Sequence, residues 1–265
     1  MPDPRWLAEI AVTAARAAVA VHREHLGKVD PAAWAEKGAA DFVTFVDREA
    51  EEEIVAIIRN HLPHHTILAE EGTGGGSTTS DDWTWVIDPL DGTTNYLHRY
   101  PMYAASVAVL HRGEPVAGAV VSGATGEEWR AYRGGGATLN GEPIRASTVE
   151  RLDHALIGTG FPFKARDRLP LYLRQFDAVL RHTSGIRRAG SAALDLCHLA
   201  TGYFDGFWEL VLAPWDIAAG TLIAREAGAI VTSLAGPLDI LKGGAVLAGN
   251  PAIHAALGKL LTAIG

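Results

Sequence analysis

The sequence predicts a layered α/β fold of the α+β kind, most simply two sheets with helices outside and between them. Two helices with clear caps open the chain. A series of strand-like runs joined by tight turns fills its middle, and helical and strand-like segments then alternate to the end. An amphipathic helix or a one-sided sheet must bury its apolar face, and stacking in layers does so for both.

The first helix is punctuated by Asp3 as N-cap and Pro4 as first helical residue. Ile10, Ala14, Ala17 and Val21 recur at helical spacing, and Gly27 ends the helix. Residues 36–47 read as a loop or short extended piece leading into a second helix. That helix carries Glu49 and Glu51 to Glu53 on its wet face and Ile54, Ile57 and Ile58 on its dry one, and Pro63 closes it. Thr44, with Asp47 three residues on, resembles a capping box. Residues 66–69 form a short strand that ends on Glu70-Glu71. Residues 72–82, rich in Gly, Ser and Thr, read as a mobile surface loop. Residues 83–87 form a buried strand that stops on Asp88. Pro89 and Gly92 then enforce a turn, because Pro fixes φ and Gly tolerates positive φ, and Thr93 or Thr94 caps a short helix.

From Tyr103 strands follow in series. Residues 104–111 and 115–122 flank Arg112-Gly113-Glu114, a hairpin signal, and residues 127–132 form a third strand. Residues 133–136 form a turn, and Asn140-Gly141 marks another tight one. Consecutive hairpins imply a largely antiparallel sheet. Near residues 148–153 the chain crosses to its second half. One domain over 1–265 is expected, with a soft internal boundary near residue 145 between an α+β half (1–145) and an α/β half (146–265). Residues 156–159 are strand-like, and 167–182 form an amphipathic helix with Leu171, Phe176, Val179 and Leu180 inward. Ser191 caps a helix that runs through Cys197 to Gly202. Residues 204–212 read as a strand interrupted by Glu209. Pro214-Trp215-Asp216 starts another helix, with Asp216 at or near the N-cap and Gly228 at the end. Residues 229–232 and 245–248 are buried strands, and Asn250-Pro251 opens the last helix.

Composition narrows the function. Hydrophobic residues at 48% and charged ones at 20% describe an ordinary soluble protein. A net charge of −8 argues against a nucleic-acid surface and would repel an anionic substrate unless cations bound first. A single cysteine, Cys197, excludes an internal disulfide and fits a reducing compartment. Met1-Pro2-Asp3-Pro4 has no basic n-region or apolar h-region, so no signal peptide is read. No charge-free apolar run approaches the roughly 20 residues that cross a bilayer. The expected location is the cytoplasm, with no membrane contact.

The chemistry concentrates on Asp88-Pro89-Leu90-Asp91-Gly92-Thr93. Two carboxylates at a strand mouth repel unless something cationic sits between them, and no Lys or Arg lies within the turn. Mg²⁺ takes oxygen ligands, and free backbone N–H groups at Gly92 and Thr93 suit a phosphate. Asp47, Glu70, Glu71 and Asp216 also sit at element ends. Taken singly, Asp47 reads equally well as a helix cap, Asp216 reads better as one, and Glu70 and Glu71 read better as solvated loop charges. Taken together, the acids suggest the two-metal arrangement that cleaves phosphate esters.

Asp88-Pro89-Leu90-Asp91-Gly92-Thr93 and Trp215-Asp216 resemble the two signature motifs of the inositol monophosphatase family, with Glu70-Glu71 at the family's upstream spacing. The similarity runs nearly end to end, through the Lys37–Asp47 segment, Asp88 to Pro101, Gly190-Ser191-Ala192, Glu209 and Gly249-Asn250-Pro251. The resemblance implies an αβαβα sandwich of the inositol monophosphatase and fructose-1,6-bisphosphatase type. It implies an Mg²⁺-dependent, Li⁺-sensitive phosphomonoesterase acting on inositol 1-phosphate, with two to three ions per site and a homodimer as the working form. Glu70, Asp88 and the Leu90 carbonyl would hold the first ion, Asp88, Asp91 and Asp216 the second, and Glu70 would help hold a weaker third. Thr93, paired with Asp47, would orient and deprotonate the attacking water. The Gly92 and Thr93 N–H groups would bind phosphate. Asp91, Gly190, Ser191, Ala192, Glu209 and Asp216 would face the substrate, and Lys37 lies near the place of a family lysine. A carboxylate at Glu209 accepts hydrogen bonds from a polyol and repels a second phosphate, although it also reads as a partly buried structural acid. The alternatives are a fructose-1,6-bisphosphatase, a histidinol-phosphatase, a 3′-phosphoadenosine 5′-phosphate phosphatase, or an interaction protein on the same scaffold.

Overall fold

The computed structural model describes residues 2–30, 34–38, 41–72 and 83–264, with the backbone alone at 35–38 and 41–42. Beyond Gly72, the loop expected over 72–82 lies outside the described residues, as does the Lys37 side chain.

The chain opens with α1 (Pro4–His25), where the Asp3 carboxylate accepts the Arg5 N–H at 2.9 Å. A short antiparallel pair, β1 (Ala35–Gly38) and β2 (Asp41–Val43), leads to α2 (Phe45–His61). The capping box forms as expected: Thr44 Oγ1 accepts from the Val46 N–H at 3.1 Å, and the Thr44 N–H donates to Asp47 Oδ2 at 2.8 Å. Next come β3 (Thr66–Ala69), β4 (Trp83–Asp91), α3 (Thr93–Leu97), β5 (Ala104–His111), β6 (Glu114–Ser122), β7 (Glu128–Tyr132), β8 (Ala137–Leu139) and β9 (Glu142–Pro143). These strands form one sheet in sequence order, with β3 parallel to β4 and each later neighbour antiparallel. Asn140 and Gly141 turn the last hairpin with φ of 52° and 87°. Two successive positive φ values match the twist of the strands they join, and Asn and Gly tolerate them.

The second half contains β10 (Leu156–Thr159), α4 (Leu169–His182), β11 (Gly185–Arg187), α5 (Ala192–Ala200), β12 (Gly206–Leu212), α6 (Pro214–Glu226), β13 (Ile230–Thr232), β14 (Gly244–Gly249) and α7 (Pro251–Thr262). Its sheet runs in the order β11-β10-β12-β14-β13.

The strands' period of two decides the layering. On β4, Trp85 and Ile87 face one way and join Leu7, Ala11, Val46 and Ile54 of α1 and α2 in one core. Val86 faces the other way, into a core shared with Leu196 and Leu199 of α5, Ile217 and Ile223 of α6, and Val246 of the second sheet. On β12, Phe207 joins that central core. Trp208 points outward, to Tyr172 and Val179 of α4 and Ile253 and Leu257 of α7. The order is therefore helices, seven-stranded sheet, helices, five-stranded sheet, helices: the expected αβαβα sandwich. Each fully buried large apolar side chain contributes on the order of 2–3 kcal/mol. No helix of the described residues is long and apolar enough to cross a membrane.

Several local expectations are corrected. Glu51 is buried, not on a wet face, because its carboxylate accepts the Glu71 N–H at 2.7 Å. Leu180 does not point inward. It is 53% exposed and shares an outer stripe of α4 with Leu169 and Leu173. The strand that carries Asp88 does not stop there but runs on to Asp91. Thr93 is not the cap of α3, since Gly92 holds the N-cap place with φ of 89° and Thr93 is the first helical residue. Asp216 keeps its expected place near the N-cap of α6, as the third residue of the helix. Its carboxylate reaches back to the N–H of Ala213, the cap residue, at 2.7 Å.

Candidate active site

Two β-bulges aim the acids. In a regular strand, residues three apart point to opposite faces. On β4, Asp88 pairs with Ser106 and Asp91 with Ala104, so three steps on one strand meet two on its neighbour. The extra residue turns Asp91 back to the side of Asp88. The same offset occurs on β12, where Glu209 pairs with Val246 and Leu212 with Gly244. Both bulges open onto one cleft of about 460 Å³ between the two sheets.

Asp88, Asp91 and Asp216 offer carboxylate oxygens that all lie within 4.8 Å of one another. Asp88 is 1% exposed, and its Oδ1 accepts the Leu90 N–H at 3.0 Å. Asp91 Oδ2 accepts from Ser191 Oγ at 2.6 Å and from the Ala193 N–H at 2.8 Å, which ties the first sheet to the start of α5. Glu70, just past β3, lines the same cleft. Thr93 Oγ1 lies 3.1 Å from both Asp47 Oδ1 and the Leu90 carbonyl oxygen. Asp47 Oδ2 also accepts the Thr44 hydroxyl at 2.7 Å. Gly92 must be glycine, since a Cβ there would stand 2.8 Å from the Met102 carbonyl. Gly190 (φ 90°), Ser191, Ala192 and Glu209 form the opposite wall. Gly160 leaves room for the Glu209 carboxylate, whose atoms a Cβ at residue 160 would meet at 2.1 Å.

The electrostatics follow from burial and crowding. Desolvation, followed by repulsion from Glu70, Asp91 and Asp216, pushes the Asp88 carboxyl well above the usual range. Desolvation and then Asp91 raise Asp216 to about 8, although Lys164 pulls the other way. Desolvation also raises Asp91, against hydrogen bonds from Ser191, Ala193 and Ala192. Asp47 rises to about 6, with burial outweighing its bonds from Thr44 and Thr93. Buried carboxylates of like charge at this spacing call for a counter-ion. An all-oxygen donor set of carboxylates beside a backbone carbonyl suits a hard divalent cation such as Mg²⁺.

Glu70, Asp88, Leu90, Asp91, Gly92, Thr93, Gly190, Ser191, Ala192, Glu209 and Asp216 line this cleft, and Asp47 reaches it through Thr93. Glu71 stands outside it with its N–H on the Glu51 carboxylate, and the Lys37 side chain lies outside the described residues. Sequence reasoning missed others. Arg188 lies 5.0 Å from the ring centres of both Phe161 and Phe163, held by cation–π contact, and faces Glu209 and Asp195. Lys164 lines the cleft beside those rings. Asp195, 1% exposed in the first turn of α5, has its Oδ1 sealed without a hydrogen-bond partner among the described residues. The usable signals were Phe161-Pro162-Phe163-Lys164 immediately after a strand, and an acid on the buried face of a helix.

A model of the inositol monophosphatase family matches residues 3–265. The chain belongs to the inositol monophosphatase family. Among solved inositol monophosphatase structures, it superposes on the enzyme from Anabaena (Nostoc) sp. PCC 7120 with a TM-score of 0.87 at 38% identity, covering 98% of this chain and 97% of that one. The Thermotoga maritima inositol monophosphatase gives a TM-score of 0.87 at 33% identity, covering 97% and 96%. The curated relatives carry a different name. Nus factor SuhB of Pseudomonas aeruginosa is 44% identical over 251 residues, 94% of this chain and 93% of its own length. That of Escherichia coli K12 is 43% identical over 248 residues, 94% and 92%.

Proposed function

We propose that the chain is an Mg²⁺-dependent phosphomonoesterase that hydrolyses a polyol monophosphate of the inositol 1-phosphate kind. The observation that carries this reading is the convergence of Asp88, Asp91 and Asp216 within 4.8 Å in a cleft that also presents Gly92 and Thr93. Glu70, Asp88 and the Leu90 carbonyl are assigned to a first ion, Asp88, Asp91 and Asp216 to a second, and Glu70 to a weaker third. A bound Mg²⁺ would lower the pKa of the attacking water and offset the negative charge that builds on the leaving oxygen. The protein's own groups do the rest. Thr93 holds the water, and Asp47, with its pKa near 6 and its Oδ1 3.1 Å from Thr93 Oγ1, takes up the proton. The Gly92 and Thr93 N–H groups bind the phosphoryl oxygens. Asp91, Gly190, Ser191, Ala192 and Glu209 surround the alcohol.

The family's solved structures support the substrate class. One Staphylococcus aureus relative, inositol monophosphatase II at 28% identity, is described with inositol monophosphate bound, and also with 2′AMP. The test is a panel of phosphate release with Mg²⁺, over inositol 1-phosphate, fructose 1,6-bisphosphate, histidinol phosphate and 3′-phosphoadenosine 5′-phosphate. Preference for a bisphosphate would overturn the assignment. Lithium at millimolar concentration should inhibit in the same assay.

Glu209→Ala should cut kcat/KM on inositol 1-phosphate by about tenfold or more, through lost hydrogen bonds to hydroxyls, and leave an aryl phosphate nearly unchanged. Equal losses on both substrates would remove Glu209 from recognition.

A second reading comes from the relatives named Nus factor SuhB. A role as such a factor need not use the cleft. If that role exists here, it survives Asp88→Asn, whereas phosphate release does not.

A further inference from the structure

We infer that His22 is a positioning residue for the acidic turn, holding the peptide plane on which the Asp88 carboxylate rests. The inference builds on the reading of Asp88 as an ion ligand.

His22 lies in the last turn of α1 and is fully buried. Its Nε2 is 2.8 Å from the Pro89 carbonyl oxygen. The other pole of that same amide, the Leu90 N–H, donates to Asp88 Oδ1 at 3.0 Å. An amide is planar, so tilting its carbonyl tilts its N–H by the same angle. One hydrogen bond at the carbonyl therefore fixes the donor that orients the carboxylate. Pro89 has no N–H of its own, and its carbonyl is the only polar handle its backbone offers. The next carbonyl oxygen, that of Leu90, lies 3.1 Å from Thr93 Oγ1.

The protonation of the ring follows from its partner. A carbonyl can only accept, so Nε2 carries the hydrogen and Nδ1 is bare. Nδ1 is sealed from solvent with no hydrogen-bond partner among the described residues. Burial also pushes the ring's pKa down to about 4, which keeps it neutral. The imidazole is walled by Tyr96 and Tyr103, with ring centres at 5.9 Å and 6.0 Å, and the Tyr96 hydroxyl donates to the His22 carbonyl at 2.9 Å. His22 is thus held from its ring and from its backbone, and it carries that rigidity across to the turn.

The test compares His22→Met, which fills the volume without a donor, with His22→Gln, whose amide can donate to the same carbonyl. Two quantities are read for each variant and the parent: the Mg²⁺ concentration for half-maximal phosphate release, and the Mg²⁺ dependence of the melting temperature. His22→Met should raise both Mg²⁺ midpoints by about tenfold, the scale seen when an outer partner of an ion ligand is lost, with kcat at saturating Mg²⁺ near parental. His22→Gln should restore most of the difference. Parental midpoints in His22→Met would overturn the inference alone, as would a His22→Gln variant as impaired as His22→Met. A parent whose melting temperature ignores Mg²⁺ would overturn the ion assignment and this inference with it. Nitrogen NMR of the parent's imidazoles needs no variant: it should show His22 as the neutral Nε2–H tautomer, and an Nδ1–H form would refute the hydrogen bond.

Discussion

Asp88→Asn should lower Mg²⁺-dependent phosphate release by about 10³-fold or more and leave the metal-free protein at least as stable as the parent. Losing one preorganised charge partner commonly costs about 10²–10³ in kcat, and Asp88 is assigned to both principal ions. Stability should move the other way. The Asp88 carboxylate is 1% exposed and faces repulsion from Glu70, Asp91 and Asp216. Asparagine keeps the volume and an oxygen for the Leu90 N–H but removes the charge. Colorimetric phosphate release across an Mg²⁺ titration, with thermal melts in EDTA, checks both halves. Turnover near the parental value would sink the metal assignment. A large drop in melting temperature would make Asp88 a structural acid.

The metal-free protein should lose stability as pH rises from about 4 to about 8, and Mg²⁺ should restore it most strongly at the upper end. Free aspartate titrates near 3.9, whereas the folded values are about 6 for Asp47 and about 8 for Asp216. Between the unfolded and folded values the native state holds more protons than the unfolded chain. The slope of unfolding free energy with pH is therefore negative, and stability falls as each group ionises in place. A cation that binds only the folded carboxylates reverses the loss by mass action. Between pH 5.5 and pH 8 Asp47 and Asp216 together cost about 4 kcal/mol, and each kcal/mol moves the melting temperature of a protein of this size by about 2–4 °C, so a gap of roughly 10 °C in EDTA is expected. A flat EDTA profile would contradict the crowding argument. So would an Mg²⁺ effect no larger at pH 8 than at pH 5.5.

Features set by near neighbours along the chain were legible in the sequence. Strands Thr66–Ala69 and Ala104–His111 fall where the apolar runs place them, and the caps at Asp3, Thr44, Ser191 and Asn250 hold. Capping and turn chemistry act over three or four residues, so a sequence displays them directly. The bulges at Asp88–Asp91 and Glu209–Leu212 were not legible, because a bulge is a mismatch with another strand and the partner's register is not written locally. Glu51 illustrates the same limit: its burial depends on the N–H of Glu71, twenty residues away. His22 reads as one more residue on an apolar helix stripe until the Pro89 carbonyl is placed beside it, 67 positions further on. The site acids themselves were visible because they cluster at element ends. Their common cavity needed two sheets to be brought face to face.

The bonds from Ser191 and Ala193 to Asp91 span 100 and 102 positions, and they give the protein a chronology. At about 5–20 residues per second, a ribosome finishes Asp91 some 5–20 s before its partners exist. In that interval the first sheet can pair strand by strand through its hairpins, since those contacts are local and form early. Its acidic turn, however, has neither α5 to bind Asp91 nor Asp216 to complete the cluster. The nascent chain therefore carries the signature motif without the cleft, and competence arrives only when the second sheet docks.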